Sequence, residues 1–183
     1  MAADPVIMLP HDPAWSGRFA TEAARLLHVF AGVALGVHHI GSTAVPGLEA
    51  KPILDVLLVA PSLGALDGRR PDAEARGYRW LGENGLPGRR YLEARRAAEG
   101  MVHVHAFVVG DPEVARHLDF RDYLICHPER AARYGRLKRE LADRFRDDRA
   151  AYTDGKTAFV RETEALARAW RRSLVDDGGG SGG

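Results

Sequence analysis

The stretch from Val37 to Val59 constrains the fold more than any other part of the chain. A short apolar approach ends at Gly41-Ser42-Thr43. A Pro/Gly loop follows, carrying Val45-Pro46-Gly47 and Lys51-Pro52, and a second apolar run then covers Ile53 to Val59. One acid, Asp55, stands inside that run. An aspartate among Ile, Leu and Val is expensive to bury unless a cation, a metal or hydrogen-bond donors meet it. Two strand-length segments joined by a tight loop, with an acid on the second, therefore set the centre of the molecule. Alternation along the first segment puts Val37, His39 and Gly41 on one side and His38 and Ile40 on the other. His39 is accordingly expected to point the same way as the Gly-Ser turn. Asp55 shares its side with Ile53, Leu57 and Val59.

The flanking segments supply the scaffold. Asp12-Pro13 is a helix start, Asp before Pro at the first helical position, and Trp15, Phe19, Ala23, Leu26 and Phe30 then recur at helical spacing. Residues 62–76 read as a helix interrupted by Gly64, Gly68 and Pro71. Tyr78–Leu81 and Arg89–Arg95 read as strands, 96–100 as a hairpin turn, and Met101–Val109 as the clearest strand. Asp111-Pro112 repeats the helix start, and His127-Pro128 ends that helix because the residue before proline leaves helical space. A second helix carries Ala131, Tyr134, Leu137, Leu141 and Phe145. A third, starting between Asp148 and Thr153, carries Phe159, Thr163, Leu166 and Trp170. The pattern predicts an α+β fold, a small mixed or antiparallel sheet flanked by helices with a C-terminal helical section. It predicts one domain over 1–175 and a flexible Gly/Ser tail over 176–183.

Charge and cysteine content exclude several functions. The 26 basic and 25 acidic residues give a net charge of +1, so there is no global pull toward nucleic acid or a membrane surface. No aromatic-interleaved basic stripe suggests RNA binding. The basic residues are mostly arginine. Cys126 is the single cysteine, which excludes an intrachain disulfide and suits a reducing cytoplasm. Cys126 reads as a core or boundary thiol. The N-terminus lacks the pattern of a signal peptide, and no run reaches the ~18 apolar residues that span a bilayer.

Three constellations carry chemistry. A Gly-Ser turn lets phosphate approach backbone N–H groups and a hydroxyl, and an acid on a neighbouring strand can hold a divalent metal bridging the same phosphates. Gly41, Ser42, Thr43 and Asp55 fit that logic, as does a plain tight turn before a strand with one satisfied acid. His103 and His105 lie on one face of their strand, about 7 Å apart at the backbone. That is a chelating arrangement, or simply two histidines on an edge strand. One carboxylate plus two imidazoles is a common ligand set. Lys51, Arg89, Arg121 and Lys156 are basic groups placed near loops or on an apolar stripe. Lys156 sits beside a helix-interior glycine, which is costly unless something approaches closely.

These residues carry a family resemblance. His39-Ile40-Gly41-Ser42-Thr43-Ala44-Val45-Pro46-Gly47-Leu48, then Ala50-Lys51-Pro52-Ile53 and Asp55, resembles the signature of the GrpB family, also called UPF0157. Asp12-Pro13-x-Trp15, His103-Val104-His105, Leu118-x-Phe120-Arg121-Asp122-Tyr123-Leu124, His127-Pro128 and Tyr152-x-x-Gly155-Lys156 resemble further family blocks. The likeness implies a nucleotidyltransferase-like fold, with Gly-Ser after one core strand and paired acids on the next. Asp55 matches the first of those acids. Leu57 stands in place of the second, and the strand expected to supply a third shows His103 and His105. Two-metal phosphoryl transfer needs several carboxylates, so this departure opens three readings. One is metal-dependent nucleotidyl or phosphoryl transfer, or an ATP-using ligase, acting on a small anionic molecule. In that reading Gly41, Ser42 and Thr43 cradle phosphate, and Lys51, Arg89, Arg121 and Lys156 neutralise it. Asp55, with His103 and His105, forms the catalytic group and holds Mg²⁺, Mn²⁺ or Zn²⁺ beside ATP or another NTP. The second reading is a nucleotide- or anion-binding module without turnover. The third is a metal enzyme of another class using His39, Asp55, His103 and His105.

Overall fold

The computed structural model describes residues 5–97 and 100–178. Its centre is a five-stranded mixed sheet in the order β1-β2-β5-β4-β3, with β1 at Gly36–Ile40, β2 at Ile53–Ala60, β3 at Arg79–Trp80, β4 at Arg90–Arg96 and β5 at Gly100–Val108. β2 and β5 run parallel and all other neighbours run antiparallel. β2 is nearly continuous in apolar residues because both its faces are covered. On one face, Leu54, Val56, Leu58, Val102, Val104 and Leu92 pack against helix α1 (Ala14–Val29) and two short helices, α2 (Leu63–Asp67) and α3 (Arg70–Ala75). On the other, Ile40, Leu57, Val59 and Phe107 pack against Val114 and Leu118 of α4 (Pro112–Cys126). Helices α5 (Pro128–Arg144), α6 (Arg149–Gly155) and α7 (Thr157–Gly178) complete that side.

Both Asp-Pro helix starts form as expected. Asp12 Oδ1 accepts from the Ala14 N–H and Asp111 Oδ1 from the Glu113 N–H, each at 2.9 Å. The segment 62–76 divides at Gly68 into α2 and α3. The expected third C-terminal helix is two helices that meet at Lys156. Gly155 packs closely there: a Cβ at this position would lie 2.5 Å from Leu141 Cδ2, and the leucine side chain would have to shift. Helix α7 continues to Gly178, past the tail boundary expected at 176, and 179–183 lie outside the described residues. The hairpin turn expected over 96–100 contains 98 and 99, which also lie outside them. β5 is the central strand rather than an edge, so its histidines face a covered sheet. Cys126 is exposed at the end of α4, not a core thiol. Among the described residues no helix is long and apolar enough to cross a membrane.

One acid escapes the apolar pattern of α1. Glu22 is fully buried. Its carboxylate accepts from Arg96 Nη2 at 2.8 Å and Nε at 3.1 Å, from Arg25 Nη1 at 2.9 Å and from the Tyr78 hydroxyl at 2.5 Å. Burial alone pushes this carboxyl upward, and the Arg96, Tyr78 and Arg25 hydrogen bonds outweigh it, holding Glu22 below its ordinary value. The cluster joins α1 to the β3–β4 side of the sheet.

Candidate active site

The sheet register assembles the site. Asp55 on β2 lies opposite His103 on β5, and His103 lies opposite Glu93 on β4. In the next row Leu57, His105 and Tyr91 are neighbours. His103 Nδ1 is 3.4 Å from Asp55 Oδ1, and His105 Nε2 is 3.7 Å from the same oxygen. On its far side His103 Nε2 is 4.0 Å from Glu93 Oε1. Burial pushes the Asp55 carboxyl up, but the two imidazoles more than offset this and hold it well below the usual carboxylate range. Asp55 is a fixed negative charge and a weak base.

Arg89 reaches this row from behind. Its Nη1 is 3.4 Å from His105 Nδ1, while its other nitrogens donate to the carbonyls of Asn84 and Glu83 at 2.7 and 3.2 Å. A guanidinium only donates. In this contact His105 Nδ1 can only accept, and its Nε2 faces Asp55.

The Gly-Ser turn is placed by the same acid. Gly41 has φ 70° and ψ −171°, and a Cβ there would fall 2.5 Å from Asp55 Oδ2. Only glycine meets both conditions. The backbone departure at Gly41 also breaks the alternation of β1, which explains why His39 does not follow the turn. His39 pairs in register with Val56, on the α1 face of the sheet, and its ring stacks on Phe19 with centroids 4.8 Å apart. The expected grouping of His39 with Asp55 as ligands of one metal is thus corrected. His39 Nε2 instead lies 2.9 Å from Thr43 Oγ1, which donates to the Ile53 carbonyl at 3.4 Å. Burial drops His39 to about 4, against the opposing pull of Asp55, so the ring is neutral.

Opposite the turn, the cations converge. Lysine accounts for only three of the 26 basic residues, Lys51, Lys138 and Lys156. All three line one cavity of about 210 Å³, together with Gly41, Ser42, Thr43, Asp55 and His103. Lys138 is 2% exposed and donates to Ser42 Oγ at 2.9 Å and to the Glu49 carbonyl. Lys51 and Lys156 stand over the Tyr152 ring at 5.1 and 4.3 Å, and Lys138 over Tyr134 at 4.7 Å. Burial, reinforced by Lys156, lowers Lys138 to about 7. Burial, reinforced by Lys51, lowers Lys156 to about 8. Lys51 is lowered by burial and then by Arg149.

Of the residues singled out in the sequence, Gly41, Ser42, Thr43, Lys51, Asp55, His103 and Lys156 meet at this cavity. His105 supports Asp55 from beside it. Arg89 and Arg121 do not line the cavity, which corrects their expected place on phosphate. Arg89 is held by loop carbonyls and the Tyr91 ring, 4.8 Å from its centroid. Arg121 Nη1 donates to the His39 carbonyl at 2.9 Å and Nη2 pairs with Asp122 at 2.6 Å, clamping α4 to β1. Sequence reasoning passed over Lys138 and Glu93. Both had a signal. Lys138 falls on the apolar stripe of α5, four residues after Tyr134 and three before Leu141, and the chain uses lysine almost nowhere else. Glu93 follows from the hairpin, since a turn over 96–100 pairs it with His103.

The fold and site define a mixed-sheet α/β domain in which a Gly-Ser turn and a lone acid on adjacent strands share a lysine-lined cavity. The chain belongs to the GrpB family: the family's profile, described as GrpB protein, matches residues 5–166. It is 37% identical over 167 residues to the UPF0157 protein YqkA of Bacillus subtilis, covering 91% of this chain and 48% of YqkA. The chain therefore spans about half of that relative's length. A UPF0157 protein of Pseudomonas aeruginosa is 40% identical over 181 residues, covering 96% of this chain and 73% of its own. The crystal structure of GrpB from Enterococcus faecalis superposes with a TM-score of 0.82 at 39% identity, covering 90% of this chain and 99% of that one.

Proposed function

We propose that this chain transfers a nucleotidyl or phosphoryl group to a small anionic molecule, binding the phosphate of a nucleotide in the lysine-lined cavity. The observation that carries the reading is the convergence of all three lysines on the turn at Gly41–Thr43, facing the fixed charge of Asp55. Preorganised cations in a water-poor cavity stabilise charge that develops during phosphoryl transfer. Lys51 and Lys156 neutralise the phosphate oxygens. Asp55, too weak a base to abstract a proton, orients the acceptor. The 210 Å³ cavity suits a phosphate group rather than a whole nucleotide, since pockets for complete small ligands run to about 300–1,000 Å³. A second cavity of about 440 Å³ shares Lys51, Ile53 and His103 with the first and provides room for the remainder.

The nucleotidyltransferase resemblance implies divalent metal, and the donor set does not fit it as arranged. His103 and His105 both address Asp55 Oδ1 rather than a shared centre. Among the described residues no group of three or more His, Cys, Asp or Glu is placed to hold a metal ion. In this reading the ammonium groups carry the positive charge, and no step is routed through a metal. One observation favours a binding module without turnover: Leu57, in the place of a second acid, is fully buried with Ile40, Val59 and Phe107. Formation of a nucleotidylated or phosphorylated product, read by mass spectrometry, separates the two.

The experiment is a thermal-shift screen of nucleotides, pyrophosphate and inorganic phosphate, with and without Mg²⁺, Mn²⁺ and Zn²⁺. A ligand at 100 times its dissociation constant adds about 2.7 kcal/mol of stability. A shift that Lys156→Ala removes supports the reading, and no shift with any phosphate compound at millimolar concentration refutes it. The pH dependence has a defined sign. In the free protein Lys156 loses its proton near 8. Anion affinity should therefore fall as pH rises through about 8, with proton uptake on binding around that pH. Calorimetry in buffers of different ionisation enthalpy measures the uptake, and a pH-independent affinity contradicts the lysine clamp.

A further inference from the structure

We propose that Ser42 is a nucleophile activated by Lys138, so that the transferred group passes through a covalent bond to Ser42 Oγ. This rests on the reading of the cavity as a group-transfer site. An activated hydroxyl needs a base within hydrogen-bond reach, and the base needs a third group to orient it. Lys138 Nζ stands 2.9 Å from Ser42 Oγ, and the Glu49 carbonyl accepts from the same nitrogen. As an ammonium Lys138 donates to both Ser42 Oγ and the Glu49 carbonyl; as the neutral amine it keeps one N–H on Glu49 and turns its lone pair to the Ser42 hydroxyl, whose proton it can receive. The Tyr134 ring closes one side of the amine at 4.7 Å, and Lys138 is 2% exposed, which shields the amine from bulk water.

The choice of residue type supports the role. Arginine cannot give up its proton in a protein, whereas a buried lysine can. A chain that supplies nearly every positive charge with arginine uses lysine on α5 at the one position against Ser42. Burial and the neighbouring Lys156 bring that amine to about 7, so a large fraction is neutral at physiological pH. Lys51 and Lys156 line the same cavity and supply the charge that an attacked phosphoryl group needs.

The two half-reactions balance. Lys138 takes the Ser42 proton as the Oγ–P bond forms and the bond from phosphorus to the leaving oxygen breaks, the electron pair departing with that oxygen. The leaving oxygen lies on the far side of phosphorus from Ser42 and departs as an anion paired with Lys51 or Lys156, while Lys138 keeps the proton. The acceptor oxygen then attacks phosphorus from that far side and gives its proton to the departed oxyanion or to solvent. The Oγ–P bond breaks and Ser42 recovers its proton from Lys138. A covalent stage of this kind uses a serine and a lysine where a two-metal site would use three carboxylates.

The test does not need the natural substrate. The full chain is incubated with diisopropyl fluorophosphate, whose fluoride leaves as Ser42 Oγ bonds to phosphorus, and digested for mass spectrometry. The expected result is a diisopropylphosphoryl adduct on Ser42, formed faster as pH rises through 7. Ser42→Ala should abolish it, and both Lys138→Met and Lys138→Arg should slow it about 100-fold or more, as for loss of a general base. Lys138→Arg keeps a cation at the position, so it separates a base from a merely structural charge. No adduct, an adduct on Lys138, or labelling of Ser42 at an unchanged rate in Lys138→Arg overturns the proposal. A nucleotide-induced thermal shift without Ser42 labelling overturns the nucleophile alone. Labelling without any phosphate-dependent shift leaves the nucleophile supported and removes the nucleotide reading.

Discussion

Glu22→Ala is expected to lower the unfolding free energy by about 3–5 kcal/mol, the range for removing one partner of a buried ionic cluster. Glu22 is fully buried and accepts from Arg96, Arg25 and Tyr78 at once. Its loss leaves the Arg96 guanidinium, packed over the Tyr78 ring at 4.6 Å, without the charge that justified its burial. In a domain of this size each kcal/mol moves the melting temperature by about 2–4 °C, so the drop should be roughly 6–20 °C. Replacing both Glu22 and Arg96 by apolar residues should cost less than the Glu22 change alone, because no buried charge is then stranded. Urea denaturation of the wild type, Glu22→Ala and the double replacement checks this, and a Glu22→Ala loss below about 1 kcal/mol, the level of an exposed pair, would show that the cluster is solvated. The pH dependence follows from the depressed Glu22 carboxyl. Its contribution is complete above the ordinary value of 4.5 and is lost as pH falls through the lowered value, where the unfolded chain already binds the proton.

Glu22 also shows where sequence reasoning stops. The apolar stripe of α1 made Trp15, Leu26 and Phe30 legible as core, and all three are buried. Nothing in that stripe says that an acid beside it is buried too, because its partners Tyr78 and Arg96 lie more than fifty residues away. The strands were legible for a related reason. Alternation is local, so Ile53–Ala60 and the run ending at Val108 were readable. Their pairing is not local. That β5 lies in the middle of the sheet follows only from the parallel partnership of β2 with β5. The candidate site divides along the same line. Gly41, Ser42, Asp55, Lys51 and Lys156 carry local signals in turns and breaks. The roles of Arg121 and Arg89 depend on which carbonyls and rings they meet, and these residues serve as struts. His39 was misplaced by strict alternation, since one glycine with positive φ turns the chain between His39 and Ser42.

That glycine supports the other large effect. Gly41→Ala should destabilise the fold and displace Asp55 from the turn. The backbone at φ 70° and ψ −171° lies in a region occupied almost only by glycine, and a side chain there costs about 1–3 kcal/mol. A second cost is specific to this site. The new Cβ would meet Asp55 at 2.5 Å from Oδ2, 2.9 Å from Cβ and 3.1 Å from Cγ. The carboxylate must then move, and it cannot move without leaving His103 and His105, which lie 3.4 and 3.7 Å from its other oxygen. Gly47→Ala is the control, because Gly47 also has φ 74° but nothing within 4 Å of the added carbon. Gly47→Ala should carry the backbone cost alone and keep any nucleotide-induced thermal shift, whereas Gly41→Ala should lose that shift. The two costs separate in a double-mutant cycle with Asp55→Gly, which removes the three atoms nearest to the new Cβ. Against that background Gly41→Ala should cost less than in the wild type, with a coupling of about 0.5–3 kcal/mol as for residues in contact. Additive losses would mean that Asp55 does not rest on the turn. The pairing of a Gly-Ser loop with an acid on the next strand would then be an accident of packing, not the construction of a site.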